Sequence, residues 1–208
     1  MDFLEYNLPD VDMLNNEEVV FRYLLWQPQD TLVILGRSNN NVEDVVFVEQ
    51  AQKDGVDIYQ RPTGGQSVVI SPDMLCISIT EPLDAVRASK DYFFAYNQIT
   101  ISALKKLGIK DLGVKGISDI AIKQKKIAGT AMYRNRLRVF YHAVLNVAGD
   151  LDLFERYLKY PPKVPDYREG RSHKDFVTSL RIQGYQFSVD NIKNAIENEL
   201  FQYKKTKN

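Results

Sequence analysis

Between a short apolar-alternating run (Val56, Ile58) and a strongly β-prone one (Val68 to Ile70, then Leu75 to Ile79), the chain reads Arg61-Pro62-Thr63-Gly64-Gly65-Gln66-Ser67-Val68-Val69. A proline and two adjacent glycines are poorly suited to a strand interior, so strands must meet here across a turn. The glycines leave bare backbone where a ligand can come within contact distance. Arg61 adds a permanent cation whose forked donors suit phosphate or carboxylate. The same residues also fit a tight hairpin carrying an incidental arginine.

The rest of the chain alternates between two periodicities. Asn15 to Trp26 reads as a helix with Val19, Val20, Tyr23 and Leu24 on one face, capped by Asn15 or Asn16 and stopped by Pro28. Thr31 to Leu35 is a short strand, and Glu43 to Lys53 a second helix closed at Gly55. Strands follow at Val56 to Tyr59, Ser67 to Ile70 and Leu75 to Thr80, the last two joined by a Pro72-Asp73 turn. The longest helix is expected over Asp84 to Leu107, with Tyr92, Tyr96, Ile99, Ala103 and Leu107 inward and Gly108 as its stop. Val114 to Ile122 reads as extended, Lys123 to Lys126 as a basic turn and Ile127 to Met132 as a small-residue strand. A central strand is expected over Leu137 to Val147, and a short helix from Asp150 to Leu158. After the prolines at 161, 162 and 165 comes a last helix capped by Ser188, with a frayed tail from Lys204. The order predicts a single α+β domain over residues 1–208, with a mixed, mostly antiparallel sheet or sheets flanked by helices, rather than a doubly wound parallel sheet.

Charge and cysteine content narrow the function. Lysines plus arginines equal aspartates plus glutamates at 27 each, which argues against a nucleic-acid or membrane-surface binder. A single cysteine, Cys76, rules out an intrachain disulfide framework or a multi-cysteine zinc site. The N-terminus does not read as a signal peptide and no stretch has the length of a membrane span, so a cytoplasmic setting is expected.

Four polar clusters remain: Gly36 to Asn41, Arg61 to Val69, Ser118-Asp119, and Lys125 to Thr130 with His142 beyond. Lys125-Lys126-Ile127-Ala128-Gly129-Thr130-Ala131 is a lysine entering a strand of small residues, which leaves a groove with a cation at its end. Arg61, Lys126, a glycine floor and the Asp119 carboxylate together suit a nucleotide phosphate or acyl-phosphate with a metal. Taken singly, a lysine pair is more often a solvated turn, and a mid-strand histidine more often a satisfied core residue.

The ordered set Gly36…Asn40…Arg61-x-Thr63-Gly64-Gly65…Asp119…Lys126-Ile127-x-Gly129-x-Ala131…His142 resembles the lipoate–protein ligase and octanoyltransferase superfamily, which also contains biotin protein ligases. The stretch Pro165-Asp166-Tyr167-Arg168 with Arg171-Ser172-His173 and Phe176-Val177-Thr178 is similar to the C-terminal segment of short ligase-like members. The resemblance implies a catalytic domain like that of class II aminoacyl-tRNA synthetases and biotin–lipoate ligases. It implies Lys126 as the essential lysine. Arg61, Gly64, Gly65, Gln66, Ser67, Val68, Val69, Gly129, Thr130 and His142 would line the adenylate pocket, and Asp119 would help hold Mg2+. The substrates implied are ATP and lipoate or octanoate, with a lysine of a lipoyl acceptor domain as the final acyl acceptor. Cysteine-dependent relatives carry their nucleophile after the His142 strand, where this chain has none, so an adenylate route is favoured over an octanoyl or lipoyl transferase. The length implies no accessory C-terminal domain, hence a separate accessory subunit or use of pre-made acyl-AMP. Departures from the ligase pattern at Gln60, Ile70, Ser71 and Ser118 keep a non-catalytic acyl- or lipoyl-domain-binding protein as the alternative.

Overall fold

The computed structural model describes residues 3–206 except 17, 40 and 85. The first half contains β1 (Leu4–Glu5), α1 (Val11–Asn15), β2 (Arg22–Trp26), β3 (Leu32–Leu35), a 3-10 turn (Val42–Asp44), α2 (Val48–Lys53), β4 (Ile58–Gln60), β5 (Val68–Ile70) and β6 (Met74–Pro82). Then come α3 (Ser89–Lys106), β7 (Leu112–Lys115), β8 (Asp119–Ile122), β9 (Lys125–Arg134) and β10 (Arg138–Asn146). The chain ends in α4 (Asp152–Tyr157), a 3-10 turn (Asp166–Arg168), α5 (His173–Phe176) and α6 (Val189–Lys205).

The strands form two sheets. One is mixed, in the order β1-β4-β3-β5; the other is antiparallel throughout, in the order β2-β6-β10-β9-β8-β7. Their two-residue side-chain period sorts the apolar residues into three cores. On the six-stranded sheet Leu75, Ile77, Ile79, Tyr141, Ala143 and Leu145 pack with Tyr96 and Leu104 of α3 and Ile192 and Ile196 of α6. On the four-stranded sheet Val33, Leu35 and Val69 pack with Ala51 of α2 and Phe154 of α4. The alternate residues, Ile34 and Ile70 of one sheet and Cys76 and Val144 of the other, meet between the sheets. The layers therefore run helices, six strands, four strands, helices, with each sheet carrying helices on its outer face.

Several boundaries differ from the sequence reading. The helix expected over Asn15 to Trp26 is not formed: a helix lies earlier, at Val11–Asn15, and Arg22–Trp26 is an edge strand paired with β6. Pairing sends Leu25 to the helix-side core and lets Trp26 pack between the sheets, a division of neighbours that a one-faced helix does not make. The expected helix over Glu43 to Lys53 is a 3-10 turn followed by α2, although Gly55 does adopt the left-handed conformation (φ 68°). Helix α3 starts at Ser89 rather than Asp84. The extended run Val114 to Ile122 is a hairpin, β7 to β8, turned at Gly116 (φ 58°), and the basic turn narrows to Lys123-Gln124 with Lys126 already in β9. The helix cap expected from Asp150 is looser, its carboxylate accepting from the Asp152 amide while Leu151 occupies the cap position. Ser188 forms a full capping box with Asn191, and α6 continues to Lys205.

Candidate active site

Lys126 reaches the site through an irregularity in β9. The β8–β9 register shifts at Ile120/Ala121, so that Ile120 faces Ala128 and Ala121 faces Lys126, leaving Ile127 extra. A bulge reverses the facing of the residues on one side of it, which puts Lys126 on the face of Gly129 three residues later. A Cβ at Gly129 would lie 2.8 Å from Lys126 Nζ, so the glycine is what allows the side chain to fold back along the strand. The ammonium there donates to Asp119 Oδ1 at 2.7 Å. Asp119 stands opposite Gly129 in the ladder, and its Oδ2 accepts from the Tyr167 hydroxyl at 2.7 Å. Both oxygens of the carboxylate read as a magnesium ligand are thus engaged. Among the described residues, no group of three or more His, Cys, Asp or Glu side chains is placed to hold a metal ion.

The loop from Arg61 to Ser67 is not a hairpin. Strands β4 and β5 flank β3 on opposite sides, and the loop crosses over the end of β3. Arg61 points into it: Nε donates to Thr63 Oγ1 (3.0 Å), Nη1 to Ile34 O (3.3 Å), and Nη2 to Gly64 O (2.9 Å) and Gln66 O (2.8 Å). Arg61 is 5% exposed, and burial lowers the pKa of its guanidinium to about 10, leaving it charged at neutral pH. The arginine read as a cation at the loop's mouth is therefore an internal brace that shapes the loop. Two glycines make the crossing possible. Gly65 has φ 96°, and a Cβ on Gly36 would sit 1.9 Å from Gly65 O. Asn39 Nδ2 donates to Ser67 Oγ at 2.8 Å and Gln60 Nε2 to Asn39 O at 3.2 Å, which fastens the outer side. Asn40, part of the motif, lies outside the described residues.

Loop and lysine share one cavity of about 610 Å³ between the sheets, lined by Arg61, Gly65 to Ile70, Asp119, Lys126 to Ala131 and His142 among others. Gly64 does not line it. The loop rests on the small-residue strand, where a Cβ on Gly65 would stand 3.4 Å from that of Ala131. His142 Nε2 and Thr63 Oγ1 are 2.8 Å apart, tying β10 to the loop. Desolvation and then the Arg61 charge hold the imidazole well below its usual range, so it is neutral. Thr130 Oγ1 donates to Ser118 O at 2.6 Å, securing the β7–β8 turn beside Lys126.

From Lys126 the cavity extends across the sheet. Register aligns Gly129 with Val144, Val144 with Cys76 and Cys76 with Trp26, and all four line the space. Three strand spacings of about 4.8 Å make this row roughly 14 Å long. Its far end is apolar around Trp26 Nε1, which is buried without a hydrogen-bond partner among the described residues, and around a buried Asp10 with the hydroxyls of Tyr6 and Ser78. Asp10 accepts from Tyr6 (2.7 Å) and Ser78 (2.6 Å), yet burial still raises its carboxyl above the usual range. Burial, then the Asp10 charge, raises the Cys76 thiol well above its usual value, so it stays protonated and unreactive. Tyr6, Asp10, Trp26 and Arg168 reach the cavity, and Tyr167 touches it through Asp119; none is among the expected site residues. For Trp26 the misread helix hid the signal, while Tyr167 and Arg168 stood in a quoted motif to which no role was attached.

The architecture and cavity define an α+β catalytic-domain class in which an apolar channel between two sheets ends at a lysine–carboxylate pair beside a glycine loop. Residues 5–201 match the family described as "Lipoyl protein ligase A/B catalytic domain", and the chain belongs to it. Over 148 residues it is 30% identical to lipoate–protein ligase 1 of Staphylococcus aureus, an alignment covering 70% of this chain and 42% of that protein. The chain spans less than half the length of the curated relatives it matches. Its fold is similar to that of a bi-partite lipoate protein ligase from Thermoplasma acidophilum, described with its E2 lipoyl domain (TM-score 0.78, 22% identity, 96% of this chain and 81% of that one). It is also similar to a lipoate-protein ligase A bound with ATP (TM-score 0.73, 23% identity, 88% and 72%).

Proposed function

We propose that this chain attaches a lipoyl or octanoyl group to a lysine of a lipoyl acceptor domain through an acyl-AMP intermediate, in the cytoplasm where ATP is available. The observation that carries the reading is the position of Lys126, at the junction of the apolar row and the glycine loop within one cavity. A medium-chain acid laid along the row brings its carboxylate to the ammonium, with the exposed backbone of the Gly65 loop beside it for phosphate. Family membership and the names of the relatives point the same way.

In the first step a carboxylate oxygen attacks the α-phosphorus of ATP, and pyrophosphate leaves with the electron pair of the broken P–O bond. In the second the acceptor lysine, as a free amine, attacks the acyl carbon; AMP departs and the amine loses its proton. Both steps gather negative charge on oxygens next to the acyl carbonyl, and Lys126 neutralises it from a preorganised position. Arg61 supports this indirectly, by holding the loop. Magnesium enters as part of the substrate, bound to the nucleotide phosphates, with Asp119 as the nearby protein carboxylate. Cys76, protonated and buried, is unsuited to a thioester route.

Lys126→Ala is expected to reduce acyl transfer by about a hundredfold or more, about 3 kcal/mol of transition-state stabilisation, with the fold retained. Mass spectrometry of a lipoyl domain incubated with the chain, ATP, magnesium and lipoate or octanoate measures it; turnover like wild type would overturn the assignment. Pyrophosphate release by the chain alone makes it self-sufficient for adenylation. Transfer from synthetic acyl-AMP without pyrophosphate release assigns adenylation to a further segment or an accessory polypeptide. Binding of acyl-AMP with no transfer from it supports the non-catalytic reading instead.

A further inference from the structure

We infer that Tyr167 is a positioning residue for Lys126, acting through Asp119; the inference rests on the acyl-transfer reading above. The Tyr167 hydroxyl and the Lys126 ammonium bind opposite oxygens of one carboxylate, each at 2.7 Å. An aspartate side chain turns easily about its last bond. With only Lys126 as partner, Asp119 has no fixed plane, and the flexible lysine stem follows it. The phenol holds Oδ2, so Oδ1 faces Lys126 and the ammonium stays above Gly129 at the end of the apolar row.

The phenol is itself held on several sides. Its ring lies 5.0 Å from that of Phe176, and a Cβ on Gly116 would come within 3.8 Å of it. The 3-10 turn that carries it is fastened by the Arg171 guanidinium, which donates to Tyr167 O, Arg168 O and Gln124 O. Arg168 adds a cation stacked against the Tyr160 and Phe176 rings at 4.4 and 5.0 Å. Lys126 belongs to the same assembly by its backbone, since Thr178 N donates to Lys126 O at 2.8 Å. The segment after the prolines thus sets both the backbone and the ammonium of the lysine.

Tyr167→Phe removes the hydroxyl and keeps the ring, so the packing on Phe176 and Gly116 survives. Two readouts test the role. The first is the rate at which an amine-reactive ester labels Lys126 in the full chain, followed by peptide mass spectrometry; release of Asp119 is expected to raise it severalfold over wild type. The second is steady-state transfer to a lipoyl domain, where kcat is expected to fall about tenfold with KM for the acid unchanged. In an Asp119→Asn background the substitution is expected to add little to either readout. Labelling at the wild-type rate overturns the inference whatever the turnover, as does an unchanged kcat in an active enzyme. Faster labelling in a chain that shows no turnover even as wild type upholds the positioning of Lys126 and removes the proposed function instead.

Discussion

Gly36 and Arg61 show how much of the site rests on single backbone contacts. The Gly36 α-carbon faces Gly65 O so closely that a methyl group would fall 1.9 Å from it, and both sides of the contact are main chain. Gly36→Ala therefore has no side chain to displace and must shift the loop. It is expected to cost about 1–3 kcal/mol of stability and to weaken acyl-AMP binding at least tenfold, read by thermal melting and calorimetry. Gly64→Ala, where nothing lies within 4 Å and φ is not positive, is the control whose melting temperature should barely move. An unchanged Gly36→Ala protein would show that the loop is not held by this approach. Gly64 and Gly65 were visible in the sequence as a place for close approach, and Gly36 as the start of a polar cluster. Which one is indispensable depended on the partner it meets, and that partner sits 29 residues away along the chain.

Strands and helices were legible where period and punctuation agreed. Helix α3 with inward Tyr92, Tyr96, Ile99 and Ala103, helix α6 with its Ser188 cap, and the central strand β10 follow their patterns. Val19, Val20, Tyr23 and Leu24 fitted a helical period, and it was the pairing of Arg22–Trp26 with β6 that made the segment a strand instead. The bulge in β9 had no local signature, since it arises from the β8 register. Outside the site, α2 and α4 are joined by Asp54, which accepts from Arg156 Nε (2.6 Å) and Nη2 (2.7 Å), from the Tyr157 hydroxyl (2.9 Å) and from Gln50 (2.8 Å). The Arg156 guanidinium first, helped by Gln50 and Tyr157, holds its carboxyl well below the usual carboxylate range. A depressed folded-state pKa contributes stability that is complete above the unfolded value near 3.9 and is lost as pH falls from there toward the folded value. Asp54→Asn is expected to lower the melting temperature at pH 7 and to converge on wild type below about pH 4. A gap that persists unchanged into acid would mean that the carboxylate charge is not what joins the helices.

Because the cavity lies between the two sheets, a ligand in it touches both and stabilises the molecule as a whole. A nucleotide–acyl ligand at a hundred times its Kd is expected to add about 2.7 kcal/mol, or roughly 5–10 °C in melting temperature for a chain of this size. Thermal melts with acyl-AMP measure it, and the absence of any shift at saturating ligand would argue against an inter-sheet site. None of the described helices is long and apolar enough to cross a membrane.

The order of residues alone established the strand-rich α+β character, the glycine loop, the small-residue strand with its lysine and the Ser188 cap of the last helix. These are properties of neighbours in the chain, set by side-chain period and backbone freedom. Only the tertiary structure turned Arg61 inward, carried Trp26 and Asp10 to the channel and set Tyr167 on the carboxylate that holds Lys126. Those contacts join residues brought together by strand order and loop closure, and a local pattern does not encode which distant partner will arrive.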